Sequence, residues 1–146
     1  MARAKFKYLS HTADVEFVAY GKDYGEALEN SALALLNVAL DLKRINKAEG
    51  VMRSVAISEK AGTIENLVWF TLQDILSKRA AGYLNAFRFK VEKLTGGKAG
   101  FRLKGRLLYK KLSGDYTALD VKAVTAHGLK VSEYGRGYSI NVIIDV

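Results

Sequence analysis

The sequence predicts an α+β fold, two helices packed on a mostly antiparallel multi-stranded sheet, in the order ββαβα and then strands. Two stretches alone carry apolar residues at spacings of three and four. Period-two alternation opens the chain and dominates it after Gly82. The elements do not follow a regular βαβ alternation, so parallel crossover units are not required. With 146 residues, no Pro, no linker and no low-complexity tract, residues 1–146 read as a single domain.

The first strand is expected over residues 5–9 and the second over 15–20, where Val15, Phe17 and Ala19 alternate with Glu16, Val18 and Tyr20. A polar turn, Ser10-His11-Thr12-Ala13-Asp14, separates them. Asp23 is placed to cap the first helix, with Glu26 three residues on as in a capping box. That helix runs to about Leu40, with Tyr24, Ala27, Leu28, Ser31, Leu35 and Val38 forming its apolar stripe. After a polar stretch at 41–50, Val51, Val55 and Ile57 mark a third strand. Thr63 caps a second helix to about Lys78, and Lys78 and Arg79 suit its C-terminal dipole. Its buried face is expected at Ile64, Leu67, Val68, Thr71, Leu72, Ile75 and Leu76, with Gly82 as terminator. Phe87, Phe89 and Val91 then alternate with Arg88, Lys90 and Glu92. A Gly96-Gly97 turn leads to Phe101, Leu103 and Leu107, interleaved with Arg102, Lys104 and Arg106. Further strands are expected over 119–125, 129–134 and 138–146.

Hydrophobic residues make up 49% of the chain and charged residues 26%, a balance that supports a packed core rather than disorder. The absence of Cys excludes disulfides, thiolate zinc sites and thiol nucleophiles. The N-terminus lacks the apolar core of a signal peptide, and no run approaches the roughly 18 apolar residues of a membrane span. A soluble cytoplasmic protein is the expectation. The net charge of +8 is unevenly spread. Between Lys78 and Lys111 eleven Lys and Arg face one acid, Glu92, giving that segment +10 and leaving −2 for the rest. An anionic partner fits this distribution.

Two places could carry chemistry. In the last strand, Ile140, Val142 and Ile144 alternate with Asn141, Ile143 and Asp145 before the chain closes at Val146. A strand that pins Ile144 holds the Asp145 side chain close to the Val146 carboxylate, and a hard divalent cation relieves their repulsion. Asp14, at the start of the second strand, is the candidate third carboxylate. Oxygen-only ligation favours Ca²⁺, Mg²⁺ or Mn²⁺ over zinc or copper. The competing reading is that Asp145 solvates a strand end. The second place is the hairpin face bearing Arg88, Lys90, Arg102, Lys104 and Arg106. RNA, an acidic protein surface or plain solvent could each lie against it.

His11 and His127 are the only histidines. His11 reads as a turn-ordering group, and Ser10, His11 and Asp14 are too close in sequence to assemble a catalytic triad easily. No nucleophile elbow and no Walker-type loop is present; Gly96-Gly97-Lys98 is a hairpin turn. The residues do not read as an enzyme's.

Three separated segments together resemble the archease family. Tyr8-Leu9-Ser10-His11-Thr12-Ala13-Asp14-Val15 is similar to the family's "HTAD" opening, and Val121-Lys122-Ala123-Val124-Thr125-Ala126-His127 to its "KAVT" segment. Val142-Ile143-Ile144-Asp145-Val146 resembles its aliphatic ending in Asp and one apolar residue. The resemblance spans essentially the whole chain. It implies a non-enzymatic, metal-binding activator of the GTP-dependent tRNA-splicing RNA ligase, promoting ligase guanylylation and multiple turnover. It maps the family's metal site, reported with calcium, onto Asp14, Asp145 and the terminal Val146. It makes Lys122 a contact for the ligase or its nucleotide, with His11 and Asp41 as further candidates. Archeases are also linked to tRNA-modifying enzymes, so the alternative is an RNA-binding chaperone of such an enzyme, acting through the basic hairpin. The chain departs from the family pattern at Trp69, displaced within the second helix, at Ala126 and in the basic hairpin.

Overall fold

The computed structural model describes residues 4–9 and 14–146. In chain order the described elements are β1 Phe6–Leu9, β2 Val15–Gly21, α1 Tyr24–Ala39, α2 Leu42–Lys47, β3 Val51–Ala61, α3 Ile64–Ala80, β4 Ala86–Gly97, β5 Gly100–Lys111, β6 Ala123–Tyr134 and β7 Gly137–Asp145. The fold is α+β, as the periodicities predict. The strands form two antiparallel sheets rather than one, ordered β1-β2-β7-β6 and β3-β5-β4.

α1 begins where the Asp23 carboxylate accepts from the Glu26 N–H at 2.8 Å, and the Glu26 carboxylate accepts from the Lys22 N–H at 3.0 Å. This is the capping-box exchange with its return bond one residue earlier than usual. Leu28, Leu35 and Leu36 bury its inner side completely. α3 is capped by Thr63, whose hydroxyl accepts from Asn66, and buries Leu67, Val68, Leu72 and Ile75. Each of these helices packs against strands of both sheets, which is why neither sheet needs its own helical layer. Phe17, Ile140, Val142 and Ile144 of the first sheet and Ile57, Phe89, Leu103 and Leu107 of the second share one core with them.

Three boundaries differ from the sequence reading. The polar stretch after α1 contains α2, because Asp41 caps it and Leu42 and Ile45, three apart, bury one side. The Lys110 ammonium donates to the Ile45, Asn46 and Ala48 carbonyls at its C-terminal end. Residues 119–122 precede the strand instead of opening it. β6 then continues from Ala123 through an irregularity between Thr125 and Lys130, where Gly128 has φ of +78°, so the two expected strands are one. The hairpin tip is Lys98-Ala99, since Gly97 pairs with Gly100.

Helix side chains seal two sheet edges. The Trp69 indole N–H donates to the Val124 carbonyl at 2.8 Å, and the Gln73 side-chain oxygen accepts from the Val124 N–H at 2.7 Å. Four residues apart on α3, they satisfy both backbone groups of one residue on the β6 edge. On the other sheet, the Glu29 carboxylate accepts from the Val91 N–H of edge strand β4 at 2.8 Å.

Candidate metal corner and cationic face

β2 and β7 are antiparallel neighbours with Val15 opposite Ile144. Asp14 precedes the first and Asp145 is the last residue of the second, one past its final pair with β2, so both lie beyond the same end of this ladder. Ala123 lies opposite Asp145 on the other side, and the Lys122 N–H donates to the Asp145 carbonyl at 2.9 Å. Asp14, Asp145 and Val146 are half-buried, while Lys122 is exposed. The topology therefore gathers Asp14, Asp145, Val146 and Lys122 at one corner of the first sheet. Nearby on β2, the Glu16 carboxylate accepts from the Asn141 amide of β7 at 2.7 Å, which ties it diagonally across the ladder.

Among the described residues no three side chains of the His, Asp or Glu type form a metal-sized group. The oxygens that the corner could offer an ion are two Asp carboxylates and the main-chain oxygen of Val146. That set is all oxygen, which fits a hard ion such as Ca²⁺, Mg²⁺ or Mn²⁺ and not zinc or copper.

The remaining sequence candidates divide. Asp41 stands past the C-terminal end of α1, where its carboxylate accepts from the Arg44 N–H at 3.2 Å and its own N–H donates to the Tyr116 carbonyl. Ala39 and Leu40 hold residues 117–119 there, a few residues before Lys122. His11, with Ser10, lies outside the described residues. His127 is exposed at the β6 irregularity, its carbonyl accepting from the Thr125 hydroxyl at 3.0 Å.

On the second sheet, Arg102, Lys104 and Arg106 all point away from the core along β5, the central strand. Arg88 and Lys90 join them from β4, as alternation predicts. Lys93 and Lys60 join them as well, and sequence reasoning missed both. An irregularity between Val91 and Lys93 inserts Glu92, so Lys93, not Glu92, comes opposite Lys104. Glu92 instead lines a cleft beside Asp23, Glu26 and Glu29 of α1. Lys60 is placed by the pairing of β3 with β5, which sets it opposite Arg102. A two-versus-one count is invisible to local alternation, and a pairing between residues 42 positions apart leaves no local signal.

The sequence model of the Archease protein family (MTH1598/TM1083) matches residues 6–146. A protein archease of Archaeoglobus fulgidus is 28% identical over 142 residues, covering 97% of this chain and 99% of its own. One from Sulfolobus acidocaldarius is 29% identical, with the same coverage of both chains. A protein archease-like from Dictyostelium discoideum is 27% identical, covering 97% of this chain and 93% of its own. The solution structure of Protein 1598 of Methanobacterium thermoautotrophicum superposes with a TM-score of 0.77 at 27% identity, covering 97% of this chain and 99% of that one. A crystal structure from Thermotoga maritima, described as "an archease, possible chaperone", shares the fold with a TM-score of 0.58 at 20% identity and 96% coverage of each chain.

Proposed function

Because the chain belongs to the archease protein family, we propose that it is a non-enzymatic, metal-binding activator of the GTP-dependent RNA ligase of tRNA splicing. It promotes guanylylation of that ligase and lets one ligase molecule turn over repeatedly, in the cytoplasm. The observation that supports this reading most is the shared end of the β2–β7 ladder, beyond which both Asp14 and Asp145 lie and where the Lys122 backbone N–H donates to the Asp145 carbonyl.

Asp14, Asp145 and a main-chain oxygen of Val146 would hold the ion, calcium being the first choice. When bound, it supplies fixed positive charge that offsets the repulsion of two neighbouring carboxylates. Lys122, exposed and tied through its backbone to Asp145, presents its ammonium to the ligase or to nucleotide phosphates. His11 and Asp41 are further contact residues in this reading. The corner acts by presenting preorganised charge to another protein's active site, and this chain forms no covalent intermediate.

Multiple-turnover joining of RNA halves with a 2′,3′-cyclic phosphate and a 5′-hydroxyl tests the proposal. This chain, present below the ligase concentration, is expected to raise product beyond one joining event per ligase. Asp14→Asn and Asp145→Asn each lower that stimulation at least about 10-fold, in line with the loss on perturbing metal shells, while circular dichroism remains native. Full stimulation by both variants excludes the corner from the activity.

A second reading is favoured by the cationic face: an RNA-binding chaperone of a tRNA-modifying enzyme, working through the β4–β5 hairpin. The Thermotoga protein is itself described as a "possible chaperone". Loss of the modifying enzyme's activity on replacing Arg102, Lys104 and Arg106, with ligase stimulation intact, would separate the two.

A further inference from the structure

The open face of the second sheet opposes like charges directly. Lys60 faces Arg102, Lys93 faces Lys104, and Lys90 faces Arg106 across the ladders. Directly opposed like charges are destabilising, so three such pairs are a cost to the isolated fold. Edge protection does not account for them, because the three β5 cations sit on the central strand. Arg88, beside Leu108, extends the same face. All seven cations are exposed, and among the described residues none of them forms an ion pair. No Asp or Glu occupies an outward position of this sheet's register.

The side chains between the cations restrict what can lie there. Ala56, Ser58 and Thr95 are small or short, and no aromatic residue points outward; Phe89 and Phe101 pack inward with the core. Phe70 of α3 and Phe101 border clefts beside Lys60 and Arg102, but no ring stands among the outward register positions, so the face offers no row of platforms on which successive bases can stack. It favours a ligand that presents phosphates while hiding its bases, which is a double helix. Alternate residues recur about every 6.8 Å along a strand and neighbouring strands lie about 4.8 Å apart, so the cations form a lattice roughly 14 by 10 Å. No helix projects from this face, and β3 flanks the β4–β5 hairpin from Lys111 to Phe101, so neither a helix nor a free two-stranded ribbon is offered to the major groove of B-form DNA. A broad three-stranded surface suits the wide, shallow minor groove of A-form RNA and its flanking phosphates. At the hairpin tip, Lys98 joins Lys60 and Arg102 around a cleft of about 700 Å³ bordered by Gly96, Gly97 and Gly100, which prolongs the positive surface.

We propose that the outward face of the β3–β5–β4 sheet is a sequence-independent binding surface for the phosphate backbone of double-helical RNA. The proposal rests on the reading of this face as RNA-binding and is independent of ligase activation. The β4–β5 hairpin supplies most of the charge and β3 completes it through Lys60.

Fluorescence anisotropy over a salt series tests this with two RNA duplexes of unrelated sequence. Single-stranded RNA, a DNA duplex and polyglutamate of matched length serve as competing ligands. The two RNA duplexes are expected to bind equally and more tightly than every competitor. With five or six phosphates contacted, log affinity against log salt should fall with a slope of about −4.5 to −5.5. Replacing Arg102, Lys104 and Arg106 by Thr, a residue suited to strands, should weaken duplex binding at least about 10-fold and flatten the slope by about 2.7. Should that triple variant fail to fold, Lys60→Thr and Lys104→Thr carry the test, each flattening the slope by about 0.9.

Equal or tighter binding of polyglutamate identifies an acidic protein as the partner and overturns the proposal. Equal or tighter binding of single-stranded RNA or DNA duplex, or unchanged binding by the folded variants, overturns it too. Ligase stimulation measured on the same samples keeps the two claims apart: wild type that stimulates the ligase but ignores duplex RNA refutes only this one.

Discussion

Glu59 carries the clearest pH signature among the single residues. It faces inward from β3 beside Asp74 of α3, and its carboxyl is pushed up to about 7. Burial is the largest cause, followed by the hydrogen bond and negative charge of Asp74, with Lys78 pulling the other way. Lys78 pairs with Asp74 at 3.4 Å, so its charge is already shared. In the unfolded chain Glu59 titrates near its ordinary 4.5. Between these values the folded protein holds more of the proton, so this group's stabilising contribution is complete below 4.5 and is lost as pH rises through 7. Glu59→Gln should remove that part of the pH dependence. Urea denaturation at pH 5 and pH 8 is expected to show a smaller fall in stability for the variant than for wild type. An unchanged fall would place the titrating group elsewhere. Glycine matters at one nearby place: a Cβ on Gly105 would stand 2.6 Å from the Lys90 carbonyl and 2.7 Å from the Phe89 ring. The aromatic ring thus covers the gap left on the inner side of β5.

Elements were legible wherever the residues controlling them are close in sequence. The Asp23 and Thr63 caps stand as predicted, and the two predicted stripes are buried from Ala27 to Leu35 and from Leu67 to Ile75, while Tyr24, Val38, Ile64 and Leu76 at their ends are half-buried. What failed was long-range. The division into two sheets depends on which strands pair, and Ile57 looks the same whether it joins one sheet or the other. The irregularity at Glu92 reversed the face of every following residue of β4 relative to simple alternation. Trp69 looked like a displaced family tryptophan. Its place is explained only by the β6 edge it reaches, 55 residues away. Trp69→Phe keeps an aromatic ring, though a smaller one, and deletes the donor, leaving the Val124 carbonyl unpaired in a buried residue. A loss of about 1–3 kcal/mol in unfolding free energy is expected, read from denaturant midpoints. On the second sheet the opposed cations predict the reverse sign. Lys104→Thr should stabilise the fold by roughly 0.2–1 kcal/mol, with the gain shrinking as added salt screens the charges. A destabilised variant would show that the Lys104 stem packs productively.

At the scale of the molecule, the two candidate surfaces belong to different sheets. The carboxylate corner closes the β2–β7 ladder, and the cations line the outside of β3, β5 and β4. Substitutions in one are therefore expected to add to those in the other. The corner was legible in outline, because Asp14 and Asp145 flank strands with clear alternation. Lys122 came from the family resemblance, and only the β6 pairing explains its place beside Asp145. An ion held by the proposed corner in the native state alone would stabilise the fold by RT ln(1 + [L]/Kd). A chelator should thus lower the melting temperature of wild type and leave that of Asp145→Asn unmoved.

The most direct test is the covalent GMP–ligase adduct formed from GTP, followed over time. Wild type is expected to accelerate adduct formation when present below the ligase concentration, and Asp145→Asn, still folded, is expected not to. Equal acceleration by the two proteins would rule out a role for the carboxylate corner in guanylylation.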